Sequence, residues 1–210
     1  MNIKFKKYWR KTSLKQNGVG DLFLNHIKEN KPKNFLEIGI FHGVTARNVC
    51  NLLYSLHGED FKFTGVDPFL NDINIKESEL VPKTNFLNPL KRIYYNYIIR
   101  LDPYSFKSVQ RLLKKFSKNI HIIKGFSHDV LKNIDVGSFD YVFLDGGHKY
   151  ETVKSDLEFL TSVIKNSGVV LCDDYDLTYA SGVKKAIDEY VNKNKFSLKI
   201  LYSRFAEIKK

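Results

Sequence analysis

Apolar residues along the chain alternate between short runs of strand length and longer segments with a helical period. This alternation predicts an α/β domain with a mostly parallel sheet, because parallel strands are joined by helical crossovers. The predicted strands span residues 34–38, 61–66, 120–124, 139–144, 168–172, 197–202 and 204–208. No helical segment separates the last two strands, so they are predicted to pair as an antiparallel hairpin.

The helical period places the main helices between these strands, at residues 45–56, 150–164 and 181–192. We therefore predict a doubly wound, mostly parallel, seven-stranded Rossmann-like sheet that ends in a C-terminal antiparallel hairpin. The length of 210 residues fits a single domain with one sizeable core.

One connection is much longer than a usual crossover and carries most of the prolines of the chain, namely Pro68, Pro82, Pro89 and Pro103. Within it, residues 90–99 and 105–116 are predicted to be helical. We expect an insertion at about 69–118 in a single domain that spans residues 1–210. Because it lies at the carboxyl edge of the sheet, the insertion would form a lid or an acceptor pocket. A structural decoration is the alternative.

The formal net charge of +11 raises the question of an anionic partner. Lysines supply most of this charge and are scattered along the chain, with denser stretches at residues 4–15 and 111–118. A solvated helix face explains the second stretch as well as a phosphate-binding patch does. A nucleic-acid partner therefore stays open without being favoured.

Neither a secretion signal nor a membrane span is indicated. No run of about 18 apolar residues occurs, and the basic N-terminus lacks an apolar core. Cys50 and Cys172 fall in a predicted helix and a predicted strand, which argues against a disulfide framework. We expect a protein of the reducing cytoplasm that has no membrane partner.

A glycine-containing turn at residues 35–43 follows the first strand and opens a helix, which is the position of a cofactor-binding turn. The order of Glu37, Gly39 and Gly43 differs from the G-x-G-x-x-G pattern of dinucleotide sites. The carboxylate of Glu37 disfavours a phosphate and suits a cationic ligand, and S-adenosylmethionine carries positive charge on its sulfonium and amino groups. Thr45, at the helix start, is predicted to hold the carboxylate of that ligand.

Two further strand ends complete the predicted cofactor site. Asp67 ends the second strand, where an acid can accept hydrogen bonds from both ribose hydroxyls. Gly125 and Ser127 follow the third strand, near the expected adenine edge, although such residues also form ordinary turns. With Glu37 and Gly39, these residues resemble the class I S-adenosylmethionine-dependent methyltransferases, from about residue 34 to the C-terminus and apart from the insertion. The resemblance implies a methyltransferase.

Acidic side chains also end the fourth and fifth strands. Asp145 ends the fourth strand, Asp173 and Asp174 end the fifth, and His148 follows Asp145 past two glycines. These side chains are expected to share a cleft, because neighbouring parallel strands end at one edge of the sheet. Carboxylate oxygens suit Mg²⁺, which would lower the pKa of an acceptor hydroxyl, and His148 would take its proton. Asp145 is also counted among the predicted cofactor contacts.

This second segment resembles the macrocin-type sugar O-methyltransferases, which have a D-x-x-H after strand four and an acidic pair after strand five. The resemblance implies that Asp145, Asp173 and Asp174 are metal ligands and that His148 is the catalytic base. The chain is much shorter than those enzymes, so their acceptor is not carried over. The alternatives are that Asp145 or Asp174 caps the following helix and that His148 is simply solvated.

The sequence therefore predicts a magnesium-assisted O-methyltransferase that uses S-adenosylmethionine and acts on a small hydroxylated acceptor, such as a sugar or a glycosylated metabolite. A homo-oligomer is compatible with this prediction. One alternative is a metal-independent RNA or protein methyltransferase, whose activity would survive chelation and fall steeply with salt. The other is a non-catalytic module that binds the cofactor without turning over any acceptor.

Overall fold

A single sheet forms the centre of the structure, a computed structural model that describes residues 4–70 and 86–210. Its strands are β1 (Asn34–Ile38), β2 (Lys62–Asp67), β3 (Ile120–Lys124), β4 (Tyr141–Leu144), β5 (Val169–Cys172), β6 (Ser197–Leu201) and β7 (Phe205–Lys209). The strand order is β3-β2-β1-β4-β5-β7-β6. Strands β1 to β5 are parallel, whereas β7 is antiparallel to both β5 and β6. The predicted fold class is confirmed.

Helices precede β1 and connect the strands. They are α1 (Val19–Asn30), α2 (Val44–His57), α3 (Pro89–Ile93), α4 (Phe106–Leu113), α5 (Ser127–Val130), α6 (Tyr150–Phe159), α7 (Thr161–Lys165) and α8 (Ser181–Asn194). Helix α1 was not predicted from the sequence, although Val19, Phe23 and Ile27 recur at helical spacing and are buried. The carboxyl ends of β1, β2, β4 and β5 share one edge of the sheet, because these strands are parallel.

Hydrophobic layers cover both faces of the sheet. On one face, Phe35, Phe63 and Tyr141 stack across neighbouring strands and pack against α1, α2 and α4. On the other face, α6 and α8 contribute Leu157 and Ile187 to a second cluster that also includes residues of α5 and α7. Burial on both faces explains why β4 and β5 are buried and apolar throughout instead of alternating.

The predicted helix at 150–164 is interrupted and forms α6 and α7. The Thr161 hydroxyl donates a 2.9 Å hydrogen bond to the carbonyl of Glu158, and such a bond competes with the regular backbone pattern. The predicted helix at 90–99 begins one residue earlier, at Pro89, and continues as a π-helix over Tyr94–Ile99. Periodicity alone does not report such local departures from an α-helix.

The insertion is held against the carboxyl edge of the sheet by Arg10, which lies in the N-terminal segment. Its buried guanidinium donates to the carbonyls of His42 and Pro103, at 3.0 Å each, and to the Ser108 hydroxyl at 2.9 Å. Residues 71–85 lie outside the described part of the chain, so the predicted insertion at about 69–118 is described only in part. Arg10 therefore joins the N-terminal segment, the turn after β1 and the start of α4.

Both cysteines, Cys50 and Cys172, are buried and unpaired, as expected for a chain without a disulfide framework. Among the described residues, no helix combines the length and the apolar character that a membrane crossing requires.

Helix α6 carries Asp156 into the core, where it is 1% exposed. Within the described chain, neither of its carboxyl oxygens has a well-formed hydrogen bond. Burial raises the pKa of Asp156 from 3.8 to about 6, although Ser127 and His128 oppose this rise. Because the folded-state pKa is raised, the stability associated with this group is present below the unfolded pKa and is lost as the pH rises through about 6.

We expect Asp156→Asn to stabilise the protein at pH 8 much more than at pH 4. A difference of about two pKa units corresponds to about 3 kcal/mol at most in the free energy of unfolding. Urea unfolding at the two pH values measures the change in the free energy of unfolding, and Asp176→Asn, at an exposed position, is the control. An equal effect of Asp156→Asn at both pH values would contradict the raised pKa of Asp156 in the folded protein.

Candidate active site

Glu37 lies in the middle of the sheet, in register with Gly65 of β2 and Phe143 of β4. It is completely buried, and neither carboxyl oxygen has a hydrogen-bond partner among the described residues. Burial, together with repulsion from Asp67, raises the pKa of Glu37 well above its ordinary value. A buried carboxyl without partners is destabilising, so this arrangement fits a ligand that brings a donor or a positive charge.

The turn after β1 needs glycine for a steric reason. Gly39 has a φ of +94°, and a Cβ atom built there would lie 2.0 Å from the carbonyl oxygen of Asp145. Gly43, with a φ of +72°, precedes α2 and donates its N–H to the carbonyl of Ile40 at 2.9 Å. Thr45 is buried in the first turn of α2. The turn therefore brings the predicted cofactor residues directly beside the end of β4.

Asp67, at the end of β2, is buried and already accepts hydrogen bonds from the protein. Its Oδ2 accepts the N–H of Phe41 at 2.9 Å, and its Oδ1 accepts the N–H of Phe69 at 2.7 Å and the hydroxyl of Tyr104 at 2.9 Å. Burial raises the pKa of Asp67, and these bonds oppose the rise. Of these three donors, only the Tyr104 hydroxyl belongs to a side chain. A ligand hydroxyl that binds Asp67 would therefore bind beside the Tyr104 hydroxyl or displace it from the carboxylate.

Gly125 and Ser127 lie beyond β3, next to the Asp67 strand. Gly125 donates its N–H to the carbonyl of Asp67 at 3.1 Å, which fixes the end of β3 beside the end of β2. Ser127 is the first residue of α5, and its hydroxyl is near the buried Asp156. The predicted adenine contacts of Gly125 and Ser127 stay predictions.

The acids after β4 and β5 converge. Asp145, Asp173 and Asp174 each offer a carboxylate oxygen, and these oxygens lie within 4.8 Å of one another. A cavity of about 10 Å³ lies among them and reaches His148, which is room for about one water molecule. The N-cap residues of α6 and α8, Lys149 and Ala180, form no side-chain cap. The predicted convergence is observed, while the ligand roles stay predictions.

Arg204 is a site residue that was not predicted. Its Nε and Nη2 donate to the two carboxylate oxygens of Asp173 at 2.5 and 2.6 Å, and Nη2 lies 3.3 Å from Asp174 Oδ1. In the sequence, Arg204 comes just before the last strand, and this position was the signal that could have identified it. Ala206 pairs with Cys172, so the antiparallel register places Arg204 beside Asp173 and Asp174. Three carboxylates face one guanidinium, which leaves an excess of negative charge.

The excess negative charge of the cluster acts most strongly on the carboxyl group of Asp145. Burial and repulsion from Asp173 and Asp174 raise its pKa well above the ordinary value, although the Ser13 hydroxyl donates to its Oδ2 at 2.8 Å. Ser13 lies in the N-terminal segment and was not predicted to reach the site. Oxygen donors, mutual repulsion and a cavity of water size together fit a hard divalent cation.

His148 and Asp174 form a pair at the mouth of this cavity. His148 Nε2 lies 2.9 Å from Asp174 Oδ2, the imidazole is half exposed, and Tyr179 donates to Asp174 Oδ1 at 2.9 Å. Burial raises the pKa of Asp174, but the bonds from His148 and Tyr179 and the charge of Arg204 outweigh it and lower the pKa. Asp174 is therefore an anion that orients the imidazole of His148.

Residues 36–175 match a protein-family model described as a methyltransferase domain. The chain belongs to this methyltransferase family. The predicted recognition and enzyme class are therefore confirmed. The methyltransferase is also 27% identical over 107 residues to the uncharacterized protein R132 of Acanthamoeba polyphaga mimivirus. That match covers 45% of this chain and 48% of the viral protein, so it spans about half of the relative's length.

Solved structures with the same fold include several O-methyltransferases. NovP superposes with a TM-score of 0.63 at 17% identity, covering 95% of this chain and 83% of NovP. The TDP-rhamnose 3'-O-methyltransferase CalS11 gives 0.61 at 14% identity, covering 93% and 81%. An O-methyltransferase from Bacillus cereus in complex with SAH gives 0.61 at 12% identity, covering 95% and 84%. At these identities the likeness supports the fold of the methyltransferase.

Proposed function

We propose that this methyltransferase transfers the methyl group of S-adenosylmethionine to a hydroxyl of a small acceptor, with Mg²⁺ held at the acid cluster. The observation that carries the proposal is the contact between two acidic centres. Gly39 touches the backbone of Asp145, so the pocket of Glu37 and the cluster of Asp145, Asp173 and Asp174 lie at one sheet edge. One centre suits a cationic donor and the other a hydroxyl acceptor.

The cofactor half of the proposal depends on three kinds of contact. The unpartnered carboxyl of Glu37 would attract the positive charge of the donor. Thr45 and the first N–H groups of α2 would hold the carboxylate of the donor, because helix N-termini favour anions. Asp67 would accept hydrogen bonds from the ribose hydroxyls, which would bind beside the Tyr104 hydroxyl or displace it. SAH in the Bacillus cereus neighbour supports this ligand class.

The acceptor half places the remaining residues in distinct roles. Asp145, Asp173 and Asp174 would hold Mg²⁺, with Arg204 keeping Asp173 in position. When bound, the metal supplies positive charge that lowers the pKa of an acceptor hydroxyl. His148, oriented by Asp174, would take the hydroxyl proton. The names of CalS11 and NovP support a hydroxyl acceptor, and TDP-rhamnose in the CalS11 title supports a sugar-like one.

A metal-independent methyltransferase is the second candidate, and Arg204 is the observation that favours it. A guanidinium that binds both oxygens of Asp173 already neutralises part of the cluster. On that reading Arg204 replaces the cation, and Asp174 with His148 acts as an unassisted base. The net charge of +11 would then suit an RNA or protein acceptor.

A calorimetric titration of Mg²⁺ into the protein saturated with S-adenosylmethionine tests the proposal. We expect Asp145→Asn to weaken Mg²⁺ binding about tenfold or more, since it removes one charged ligand. Asp176→Asn, an exposed acid close to the cluster in sequence, is the matched control and should leave the affinity unchanged. Equal affinities of wild type and Asp145→Asn would contradict Asp145 as a metal ligand, and full methyl transfer in excess chelator would support the metal-independent candidate instead.

A further inference from the structure

The insertion contains a second and larger cavity, of about 470 Å³. A cavity of this volume is in the range that holds a small molecule. Its lining includes Phe86, Arg92, Tyr95, Asn96, Arg100 and Asp102. Two arginines in one cavity of ligand size indicate a binding site for an anion, because guanidinium groups bind phosphate and carboxylate through paired hydrogen bonds.

More positive charge surrounds the aromatic wall of this cavity. Phe86 and Tyr95 stack with ring centroids 4.9 Å apart. Arg10 lies 6.0 Å from the Tyr95 ring centroid, and Lys11 and Lys91 lie 5.8 and 5.6 Å from that of Phe86. The local potential is therefore strongly positive over a flat apolar surface.

One acid, Asp102, also lines the cavity. Its Oδ1 accepts the backbone N–H of Tyr104 at 2.8 Å, so this carboxylate also holds the loop between the π-helix and α4. Arg100 Nε donates to the carbonyl of Tyr97 at 3.3 Å, which orients its guanidinium. One carboxylate against Arg92 and Arg100 leaves an excess of positive charge in the cavity.

The cavity adjoins the cofactor site through contacts on the same loops. Pro103 of the cavity wall accepts a hydrogen bond from Arg10, which also binds the carbonyl of His42 in the turn after β1. The next residue, Tyr104, donates to Asp67. The ring of Phe86 lies 6.3 Å from that of His42. A ligand in this cavity would therefore lie beside the bound donor.

We infer that this cavity is the acceptor pocket and that it binds an acceptor carrying a phosphate or diphosphate group through Arg92 and Arg100. The inference rests on the proposed function, because it names the class of acceptor for that reaction. It also assigns the described part of the predicted insertion a role as acceptor pocket. The phosphate would anchor one end of the acceptor and leave the hydroxyl that is methylated at another part of the molecule.

Calorimetric titrations with UDP, inorganic pyrophosphate and uridine test this inference on the full chain. We expect UDP and pyrophosphate to bind the wild type and uridine to bind at least tenfold more weakly than UDP. Arg92→Gln and Arg100→Gln should each weaken UDP binding about tenfold. Arg111→Gln removes the same charge from an exposed position of α4, in the insertion but outside the cavity, and should leave the affinity for UDP unchanged.

Several results would overturn the inference. These are no binding of UDP and pyrophosphate, equal binding of uridine and UDP, or an equal loss in Arg100→Gln and Arg111→Gln. A parallel titration with S-adenosylmethionine separates the two proposals. Loss of phosphate binding with donor binding intact contradicts the acceptor assignment alone, whereas a protein that does not bind the donor contradicts the proposed function. Thermal unfolding of each variant serves as the folding control, because replacing an exposed arginine should leave the unfolding temperature close to that of the wild type.

Discussion

Gly39→Ala is expected to lower the free energy of unfolding by about 2–5 kcal/mol, combining a strained left-handed backbone with overpacking. The added Cβ would lie 2.0 Å from the carbonyl oxygen of Asp145 and 2.6 Å from its carbonyl carbon. Backbone atoms cannot rotate away as a flexible side chain can. Either the turn after β1 or the end of β4 has to move, so the variant is also expected to lose affinity for S-adenosylmethionine.

Gly18→Ala is the matched control for this change. Gly18 also has a positive φ, +82°, but a Cβ atom there meets nothing within 4 Å. It should therefore show the backbone strain alone, about 1–2 kcal/mol. Urea unfolding of the two variants measures the difference. A loss in Gly39→Ala no larger than that in Gly18→Ala would mean that the contact between the turn and Asp145 is unimportant.

His148→Ala is expected to lower kcat by about 10²–10⁴ while leaving the Kd for S-adenosylmethionine within about twofold. The reason is that the imidazole is oriented by Asp174 and half exposed at the mouth of the acid cavity, away from Glu37 and the turn after β1. Since the side chain is partly exposed, its removal should have little effect on stability.

The control is His128→Ala, which removes another half-exposed histidine in contact with an aspartate, Asp129 at 3.2 Å. It lies in α5, away from the acid cluster, and should retain wild-type kcat. Methyl transfer from labelled S-adenosylmethionine to an accepted substrate measures both variants. Unchanged kcat in His148→Ala would remove this residue as the base and leave the rest of the site assignment standing.

Parallel topology made much of the fold and site predictable. Strand-length apolar runs alternate with helical segments, so the sheet follows from local patterns. The rule that parallel strands end at one edge then brings Asp145 together with Asp173 and Asp174. Glycine at position 39 marked the turn, because a cofactor loop needs a backbone conformation that other residues adopt only with strain.

Long-range contacts account for what could not be predicted. Arg204 reaches Asp173 across 31 residues because β7 returns antiparallel beside β5, and no local pattern marks that pairing. Tyr104 reaches Asp67 from the short loop between the two predicted helical segments of the insertion, where no periodic pattern occurs. Ser13 contacts Asp145 across 132 residues from the N-terminal segment. Each contact depends on tertiary packing, which a single sequence does not report.

The most direct test of the central claim is a calorimetric titration of S-adenosylmethionine into the wild type and into Glu37→Gln. The side chain of glutamine has nearly the same shape but no charge, and Glu37 is buried without a hydrogen-bond partner in the described chain. We expect one binding site in the wild type and an affinity at least tenfold lower in the variant, since a charged contact contributes about 1.5–3 kcal/mol. No binding to the wild type, or equal affinity in both proteins, would contradict a cofactor site built on Glu37.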